Sequence, residues 1–576
     1  SKGQHHVYLA ENITSTAAMA LNTYWGIVNS EYSSLCLYLN DKTFTFDGYI
    51  NVRCAFTVMG NGTVTRTAVD STNPMFVNTD DQQYENAFNI FGGTWTNNSS
   101  KAIFAPAWSK VGNIYGGTFT TDAPFFAPDD ASSFVLNIYG GTINGGSKTV
   151  IDFSAKSGTF NMYGGTINAG AGARAIYLTK SGSKVTIAGG TINGNGAQFA
   201  GDGGTVRMEL GTITMSGGTI QNGNATGWGG NVYMSGGTFN MTGGEIKDGI
   251  SGDRGGNVAV YNSVFNMSGG TLSGGSSVTG GGNLFMRNDG ARVTISGTAV
   301  IKEGKGTGKG DNVFVERWNS APTLNMTGGT ICDGDSDNVY VEGASLVMTG
   351  GKIIAKNNGS QGNALMVRKT SKNIASLTLG GTAEVTTRNA NPTNALMIWG
   401  YSDNTSLLDT MHIEEDFSGT AYMYLSVALK AGDTIAPENV TFDSGFTGKL
   451  YTNGCEVVED NGALKLVEIQ TGPTEEEIYG AIDDDKARVD AWVANNSGAS
   501  FTSGYCPHCD KEVTWVAGTA ANISEGFNSK GQHHVYLAEN ITSTAEKALN
   551  TYWGIVNLEY SSLCLYLNDK TFTFDG

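Results

Sequence analysis

Proline and cysteine are both scarce in this chain. Nine prolines and seven cysteines occur among 576 residues, whereas 81 residues are glycine. Glycine enrichment without proline excludes a collagen-like triple helix and a proline-rich linker. Seven cysteines are too few for a disulfide scaffold at this length. Apolar residues make up 39% of the chain, which is enough to form a core and argues against disorder.

Positive charge and long apolar runs are also limited. Lys and Arg number 35 against 53 Asp and Glu, so the net charge is −18. An acidic surface repels phosphate backbones, and we therefore expect no nucleic-acid partner. No run approaches 18 apolar residues, so we expect no direct membrane insertion in this segment. Gly-x-Ser-x-Gly, His-Glu-x-x-His and P-loop motifs are absent, and we predict that the protein is not an enzyme.

A long segment occurs twice. Residues 529–576 repeat residues 1–48 at an offset of 528 residues and differ from them at three positions. The differences are Ala18 against Glu546, Met19 against Lys547, and Ser30 against Leu558. These differences indicate two encoded copies. Because the chain stops inside the second copy, the sequence predicts a window on a tandem array with a 528-residue period.

A shorter repeat lies within one unit. A block of alternating apolar and polar residues followed by Gly-Gly-Thr recurs about twelve times at steps of 22–31 residues, as in 160–167 and 265–272. Strict alternation predicts a strand with one buried face, and the glycine pair permits a bend into a new strand. The step is too short for a βαβ unit. The pattern therefore predicts one turn of a parallel β-helix, with Phe, Ile, Met and Leu pointing inward.

An asparagine stripe has the same phase. Each of its members precedes a short apolar strand, as in Gly-Gly-Asn-Val-Tyr-Met. Asparagine tolerates left-handed turns, and stacked side-chain amides can hydrogen-bond along a solenoid axis. The stripe consists of Asn231, Asn257, Asn283, Asn312, Asn338, Asn363 and Asn394.

The Gly-Gly-Thr-Ile blocks, the Gly-Gly-Asn-Val strands and the opening Leu-Tyr-Leu-Asn-Asp-Lys-Thr-Phe resemble large repetitive surface proteins of gut anaerobic bacteria. That resemblance implies an all-β fold, a right-handed parallel β-helix of the pectin-lyase-like type, and a secreted or cell-surface location. Thr474 and Glu477 form a capping box that predicts a short helical linker. We predict entry coils over 1–90, a regular parallel β-helix over 91–400, a β cap or irregular coils over 401–472, the linker over 473–500, and a CxxC module with the first coils of the next tandem unit over 501–576.

The CxxC motif formed by Cys506 and Cys509 is the most specific chemical motif in the sequence. Two thiolates at CxxC spacing can occupy two vertices of a zinc tetrahedron, and His533 and His534 lie 24 and 25 residues beyond Cys509. The alternatives are a local disulfide and unligated thiols. Redox catalysis would require the motif to open a helix, whereas β-forming residues follow it here.

An acidic loop and an aromatic row are further candidates. Asp333, Asp335 and Asp337 have the opening spacing of a calcium loop, although Ala344 stands where an EF-hand places glutamate; the alternative is an exposed acidic turn. Four aromatic residues recur every 24 residues and are predicted to point outward. They could form a ladder that stiffens the solenoid, or a contact strip for sugar rings or a neighbouring rod. These residues are Phe91, Tyr115, Tyr139 and Tyr163.

Three functions follow from this pattern. The first is a structural repeat protein that forms an extracellular rod, stalk or filament, with copies of itself joined head to tail. The second is a surface adhesin that binds glycans along the aromatic and asparagine strip. The third is a β-helical polysaccharide lyase or hydrolase, for which no convergent set of ionisable residues is visible in the sequence.

Overall fold

The computed structural model describes most of residues 4–469 and selected parts of the remainder. Within 4–469 it omits 18, 23–33, 52–54, 68–71, 78–87, 106–110, 129–133, 289, 357–361, 369–374, 389–394, 400–410, 425–429, 436–440, 444, 453 and 462. Beyond 469 it describes 492–493, 503–506, 511–519, 532–543, 562–567, 570 and 572–574. The predicted linker falls almost entirely outside the described residues; Trp492 and Val493 are helical.

The chain divides into two compact units, Ser1–Glu468 and Ile469–Gly576. The first unit is a parallel β-solenoid of about 15 turns. One turn illustrates the design: Thr238–Met241, Glu245–Lys247 and Val258–Tyr261 lie on three successive faces. Each strand pairs in parallel with its equivalent in the turns before and after. The prediction of an all-β parallel β-helix is confirmed.

The strands of the three faces form three ladders. The first ladder consists of Gln4–Tyr8, Ser34–Tyr38, Ala55–Met59, Phe88–Ile90, Val111–Ile114, Val135–Ile138, Thr159–Met162, Lys184–Ile187, Thr212–Met215, Thr238–Met241, Val264–Met267, Arg292–Ile295, the start of Thr323–Cys332, the start of Ser345–Ala355, Ser376–Leu379, Met411–Ile413 and Thr441–Phe442. The second consists of Ile13–Ser15, Thr43–Phe46, Thr63–Arg66, Thr94–Asn97, Thr118–Thr121, Thr142–Gly145, Thr166–Asn168, Thr191–Asn193, Thr219–Gln221, Glu245–Lys247, Thr271–Ser273, Val300–Lys302, the ends of the two long strands, Glu384–Thr387, Thr420–Tyr424 and Lys449–Thr452. The third consists of Met19–Asn22, Tyr49–Asn51, Phe76–Val77, Ile151–Phe153, Ile176–Leu178, Val206–Met208, Val232–Met234, Val258–Tyr261, Leu284–Arg287, Val313–Glu316, Val339–Glu342, Leu365–Arg368 and Leu396–Trp399.

Two smaller sheets complete the first unit. Five two-residue strands stack between the second and third ladders: Gln198–Phe199, Asn224–Ala225, Ile250–Ser251, Ser276–Ser277 and Lys305–Gly306. After the last turns the pairing becomes antiparallel. Lys449–Thr452, Cys455–Asp460 and Ala463–Glu468 form a meander, and Thr434–Ile435 pairs with its last strand.

The core follows from the alternation in the sequence. In Thr159–Met162, Phe160 and Met162 are fully buried, whereas Asn161 between them lies on the outside. Successive turns bring equivalent residues into register, as with Phe160 and Val185. One continuous apolar cluster therefore runs from Leu9 to Leu466. The predicted inward direction of Phe, Ile, Met and Leu is confirmed.

The glycine pair is required by close backbone stacking at the bend. A Cβ atom added at Gly164 would lie 2.4 Å from the carbonyl oxygen of Tyr139 in the preceding turn. Gly165 has φ of +81°, a conformation that L side chains rarely adopt. Neither residue can be replaced without moving the backbone of a neighbouring turn.

The second unit contains a different arrangement. Ser503–Cys506 and Lys511–Gly518 form an antiparallel hairpin. Lys511–Gly518 pairs in parallel with Gln532–Leu537, which in turn pairs with Ser562–Tyr566. Ile541–Ser543 and Phe572–Phe574 form a separate parallel pair.

Candidate functional site

The aromatic residues of the 24-residue row form a continuous stack on the outside of the solenoid. The ring centroids of successive members are 4.5, 4.9 and 5.0 Å apart, and the planes deviate by 7–12°. The side chains remain 41–51% exposed. The members are Phe91, Tyr115, Tyr139 and Tyr163.

This geometry limits what the aromatic ladder can bind. Each inner ring has both faces covered by its neighbours, so solvent meets mainly ring edges and the tyrosine hydroxyls. A sugar ring packs on an aromatic face, and the faces within this stack are already occupied. The stacking therefore favours a stiffening role over a platform for sugars.

Removing one ring from the stack is expected to loosen the neighbouring turns. Tyr139→Ala deletes two stacked pairs, and each is worth about 0.5–1.5 kcal/mol beyond area burial. We expect a loss of about 1–3 kcal/mol in the free energy of unfolding, measured by denaturant titration. Tyr139→Phe keeps the stack and serves as the matched control. Equal stability of the alanine variant and the wild type would contradict a stiffening role.

An outer amide ladder runs beside the aromatic stack. Its members are Asn89, Asn113, Asn137 and Asn161. From Asn113 onward, the Nδ2 atom of each asparagine donates to the Oδ1 atom of the asparagine one turn earlier, at 2.9 Å in all three pairs. Since the two inner amides both donate and accept, the ladder ties four turns together along the axis.

The predicted asparagine stripe forms a second, buried amide ladder. From Asn231 to Asn338, each Nδ2 atom donates to the Oδ1 atom of the next member at 2.6–2.8 Å. The five side chains are 0% exposed. None of them has a positive φ; that role belongs to Asn222, Asp248 and Asp333 in the adjoining turns. Asn394 lies outside the described residues.

A polar groove runs next to the aromatic ladder. Its volume is about 620 Å³, and Phe91 stands on one side of it. The glycine bends also line the groove, together with the threonines that open four successive strands of the second ladder, Thr63, Thr94, Thr118 and Thr142. The groove offers hydroxyl and backbone groups, and Asp41 is the only acid or base among the described residues that line it. This composition can hold water or a neutral polar chain.

A second surface was not predicted from the sequence. We call the outer face of the third ladder, from residue 174 to residue 368, the arginine strip. Its strands present a second apolar cluster outward: Tyr233, Ala259, Phe285, Phe314, Tyr340 and Met366. The sequence contains a signal for this outer cluster. Strands such as Leu-Phe-Met and Val-Phe-Val are apolar at every position, which indicates burial on both faces.

Arginines and carboxylates lie over this outer cluster. Glu316 forms ion pairs with two arginines. Its carboxylate oxygens lie 3.2 Å from Nε of Arg287 and 3.6 Å from a guanidinium nitrogen of Arg254. The Arg287 guanidinium also lies 3.9 Å from the ring centroid of Trp318, which is 63% exposed. One turn further, Glu342 accepts a hydrogen bond from Lys309 at 2.7 Å.

Burial shifts the pKa of the Glu316 carboxyl. Burial raises the pKa of Glu316, and Arg254 and Arg287 offset this only in part. When the folded-state pKa lies above the unfolded value, the folded state holds the proton more tightly. The contribution to stability is then present at low pH and is lost as pH rises through the raised pKa.

Replacing Glu316 is expected to weaken this pH dependence. Glu316→Gln removes the ionisation, so the fall in unfolding free energy between about pH 4 and about pH 8 should be shallower than in the wild type. Urea titrations at both pH values measure it. Glu303→Gln, at an exposed side chain, is the control. An unchanged slope in Glu316→Gln would show that this carboxyl does not titrate differently on folding.

The candidate zinc ligands are only partly described. Cys509 and the side chains of Cys506 and His533 lie outside the described residues. His534 is buried, and its ring meets the Trp515 ring edge-on at 5.5 Å. Zinc binding stays a prediction, for which elemental analysis should find about one equivalent per complete module.

The three aspartates of the candidate calcium loop have separate partners. Asp333 pairs with Arg388 at 2.5 Å and Asp335 with Lys356 at 2.7 Å. Asp337 accepts from the backbone nitrogen and Nδ2 of Asn363. Among the described residues, no group of three or more His, Cys, Asp or Glu side chains is placed to hold a metal ion. The structure therefore does not bring these carboxylates together, and calcium binding stays a prediction.

Comparisons with protein-family models, curated proteins and solved structures find no match to this chain. Within the described part of the chain, no helix is long and apolar enough to cross a membrane. The proposed function therefore depends on the fold and its surfaces alone.

Proposed function

We propose that this chain is part of an extracellular structural rod, secreted or held at the cell surface, that lengthens by end-to-end joining of tandem β-helix units. The observation that carries the proposal is the behaviour of the repeated segment. Gln532–Leu537 pairs with Ser562–Tyr566 in the same register as Gln4–Tyr8 with Ser34–Tyr38, so that His534 faces Cys564 as His6 faces Cys36. The second copy thus repeats the parallel pairing with which the first ladder begins, which supports a tandem arrangement of units.

The axial ladders support a mechanical role. Each turn contacts only its neighbours in a solenoid, so resistance to bending and shear depends on links between turns. The aromatic stack, the outer amide ladder and the buried amide ladder all supply such links along the axis. None of these features requires a bound ligand.

Electron microscopy of the native protein tests the proposal. We expect rods or filaments longer than one unit, and shorter particles when the chain is truncated after Gly472. Isolated monomers in both samples would contradict it. No catalytic role is part of the proposal, and release of reducing sugar ends from pectin-like polymers would argue for the enzyme alternative.

Glycan binding is the second candidate, and it is favoured by the arginine strip more than by the aromatic ladder. Trp318 keeps a largely exposed ring beside charged hydrogen-bonding groups, a combination suited to sugars. A glycan pull-down should lose retention with Trp318→Ala and keep it with Tyr139→Ala. Retention lost only with Tyr139→Ala would place binding on the aromatic ladder instead.

A further inference from the structure

We propose that a pocket on the outside of the solenoid, at the bends that follow three strands of the second ladder, binds a single neutral sugar through two neighbouring hydroxyls. The pocket has a volume of about 240 Å³. Residues 134–288, which include all three bends, are described without interruption. The side chains that line the pocket are those of Asn193, Asn195, Asn222, Asn224, Asp248 and Ile250.

One long bend forms a wall of this pocket. Four residues, 194–197, join the strand Thr191–Asn193 to Gln198–Phe199, whereas two residues make the same connection in each of the next four turns. Asn195 and Gly196 in the long bend are exposed and have left-handed φ values of +66° and +68°. The two extra residues therefore give the pocket a rim that the following turns lack.

A third amide ladder ends in the pocket. After its first member, the Nδ2 atom of each asparagine donates to the Oδ1 atom of the asparagine one turn earlier, at 2.9–3.1 Å. Among the described residues, no group donates to the Oδ1 atom of the last member, Asn222. Because hydrogen bonds in a chain polarise one another, this oxygen is a strong and free acceptor. The ladder consists of Asn144, Asn168, Asn193 and Asn222.

The next bend places a second acceptor beside Asn222. Asp248 is its equivalent one turn later, since Gln221 pairs with Lys247, and stacked strands lie about 4.8 Å apart. Within the described part of the chain, the Asp248 carboxylate forms no hydrogen bond or ion pair, and the amino group of Lys247 pairs with Glu245 at 2.8 Å. An ionised carboxylate cannot donate, so the amide ladder cannot continue through Asp248. Two acceptors therefore lie on neighbouring turns with no donor between them.

A sugar supplies the groups that this arrangement lacks. Two neighbouring hydroxyls can donate to the Asn222 amide oxygen and to the Asp248 carboxylate, and each hydroxyl can also accept. The Asn195 side chain forms no hydrogen bond among the described residues, so its Nδ2 atom can donate to a hydroxyl oxygen. Ile250 is 50% exposed and offers an apolar surface for the C–H face of the ring. Small-molecule sites commonly combine a few placed polar groups with such an apolar contact.

Volume and charge limit the class of sugar. Pockets for drug-sized ligands typically measure roughly 300–1,000 Å³, so this smaller pocket suits one ring and not a chain. Asp248 is the only charged side chain among the described residues that line it, and its negative charge disfavours uronic acids and sulfated sugars. The pocket is separate from the arginine strip, and the inference goes beyond the proposed structural function without depending on it.

Saturation-transfer NMR on the full chain tests the inference, with the methyl glycosides of glucose, galactose and mannose as probes. We expect at least one of them to bind with a Kd on the order of 1 mM. Binding is measured in solution because so weak a complex does not survive the washes of a pull-down. Glycerol, which has neighbouring hydroxyls but no ring to pack on Ile250, should bind at least tenfold more weakly. No binding of any glycoside, or equal binding of glycerol, overturns the inference.

Variants at the bends locate the binding. Asp248→Gly should weaken it at least tenfold and change the melting temperature little, because glycine suits the φ of +54° at this position. Glu303→Gly is the matched control. It removes an exposed carboxylate at the same bend position two turns further on, where φ is +57°. Glu303→Gly and Trp318→Ala should both keep the binding. Binding that persists in Asp248→Gly, or that is lost in either control, overturns the inference.

Calcium is the other ligand that amide and carboxylate oxygens attract. Calorimetric titration of the full chain with calcium chloride, without sugar, should show no binding that Asp248→Gly removes. Glycoside binding should also be unchanged by EDTA. Calcium binding that depends on Asp248, or glycoside binding that is lost in EDTA, would assign the pocket to a cation and overturn the inference.

Discussion

Met267→Asp is expected to unfold the turns around it and to cost more than about 4 kcal/mol in the free energy of unfolding. Met267 is fully buried and stacks in register with Met241 and Ile295 of the adjacent turns. A carboxylate at this position would lie in an apolar core with no cation beside it. It must either ionise without solvent or take up a proton, and both states are unfavourable there.

Two matched variants isolate the effect of burial. Ser268→Asp places the same charge one residue later, at an exposed side chain, and should change stability little. Met267→Leu keeps an apolar side chain of similar volume and should cost less than about 1.5 kcal/mol. Thermal melting and local hydrogen exchange measure all three. Equal melting of Met267→Asp and Ser268→Asp would show that residue 267 does not point into the core.

Asn257→Leu should be nearly as damaging. The Oδ1 atom of Asn257 accepts from the Gly249 nitrogen and from Nδ2 of Asn231, and its Nδ2 atom donates to the Ser273 carbonyl and Oδ1 of Asn283. Leucine can form none of these four hydrogen bonds, so each of the four partner groups loses one bond inside a buried site. At about 1–3 kcal/mol for each stranded group, we expect a loss of about 4 kcal/mol or more.

A separate asparagine pair on the outer face of the first ladder supplies the control for this prediction. Asn266 donates from Nδ2 to Oδ1 of Asn240 at 2.9 Å, in a partly exposed position where water can replace the bond. Asn266→Ala should therefore cost less than about 1 kcal/mol. Denaturant titrations of both variants decide the comparison. Similar losses for Asn257→Leu and Asn266→Ala would mean that the buried ladder does not hold the turns together.

The repeat period, the alternation and the glycine pairs were enough to predict the parallel β-helix, because each is a local requirement of one turn. Phe160 and Met162 alternate with Asn161 regardless of what lies further along the chain, and Gly164 is needed wherever turns stack closely. The 528-residue duplication was equally visible. Local sequence rules thus determined the strands, their inward faces and the presence of a second copy.

The tertiary structure decided what the surfaces can do. Spacing placed Phe91, Tyr115 and Tyr139 on one line, but only the stack showed that their ring faces cover one another. Spacing also grouped Asp333 with Asp337, whereas the fold gives them different partners. Glu316 and Arg254 come together from residues about two turns apart. Contacts between turns depend on side-chain direction and on which strand lies alongside, and neither is encoded in the spacing of residues within a single turn.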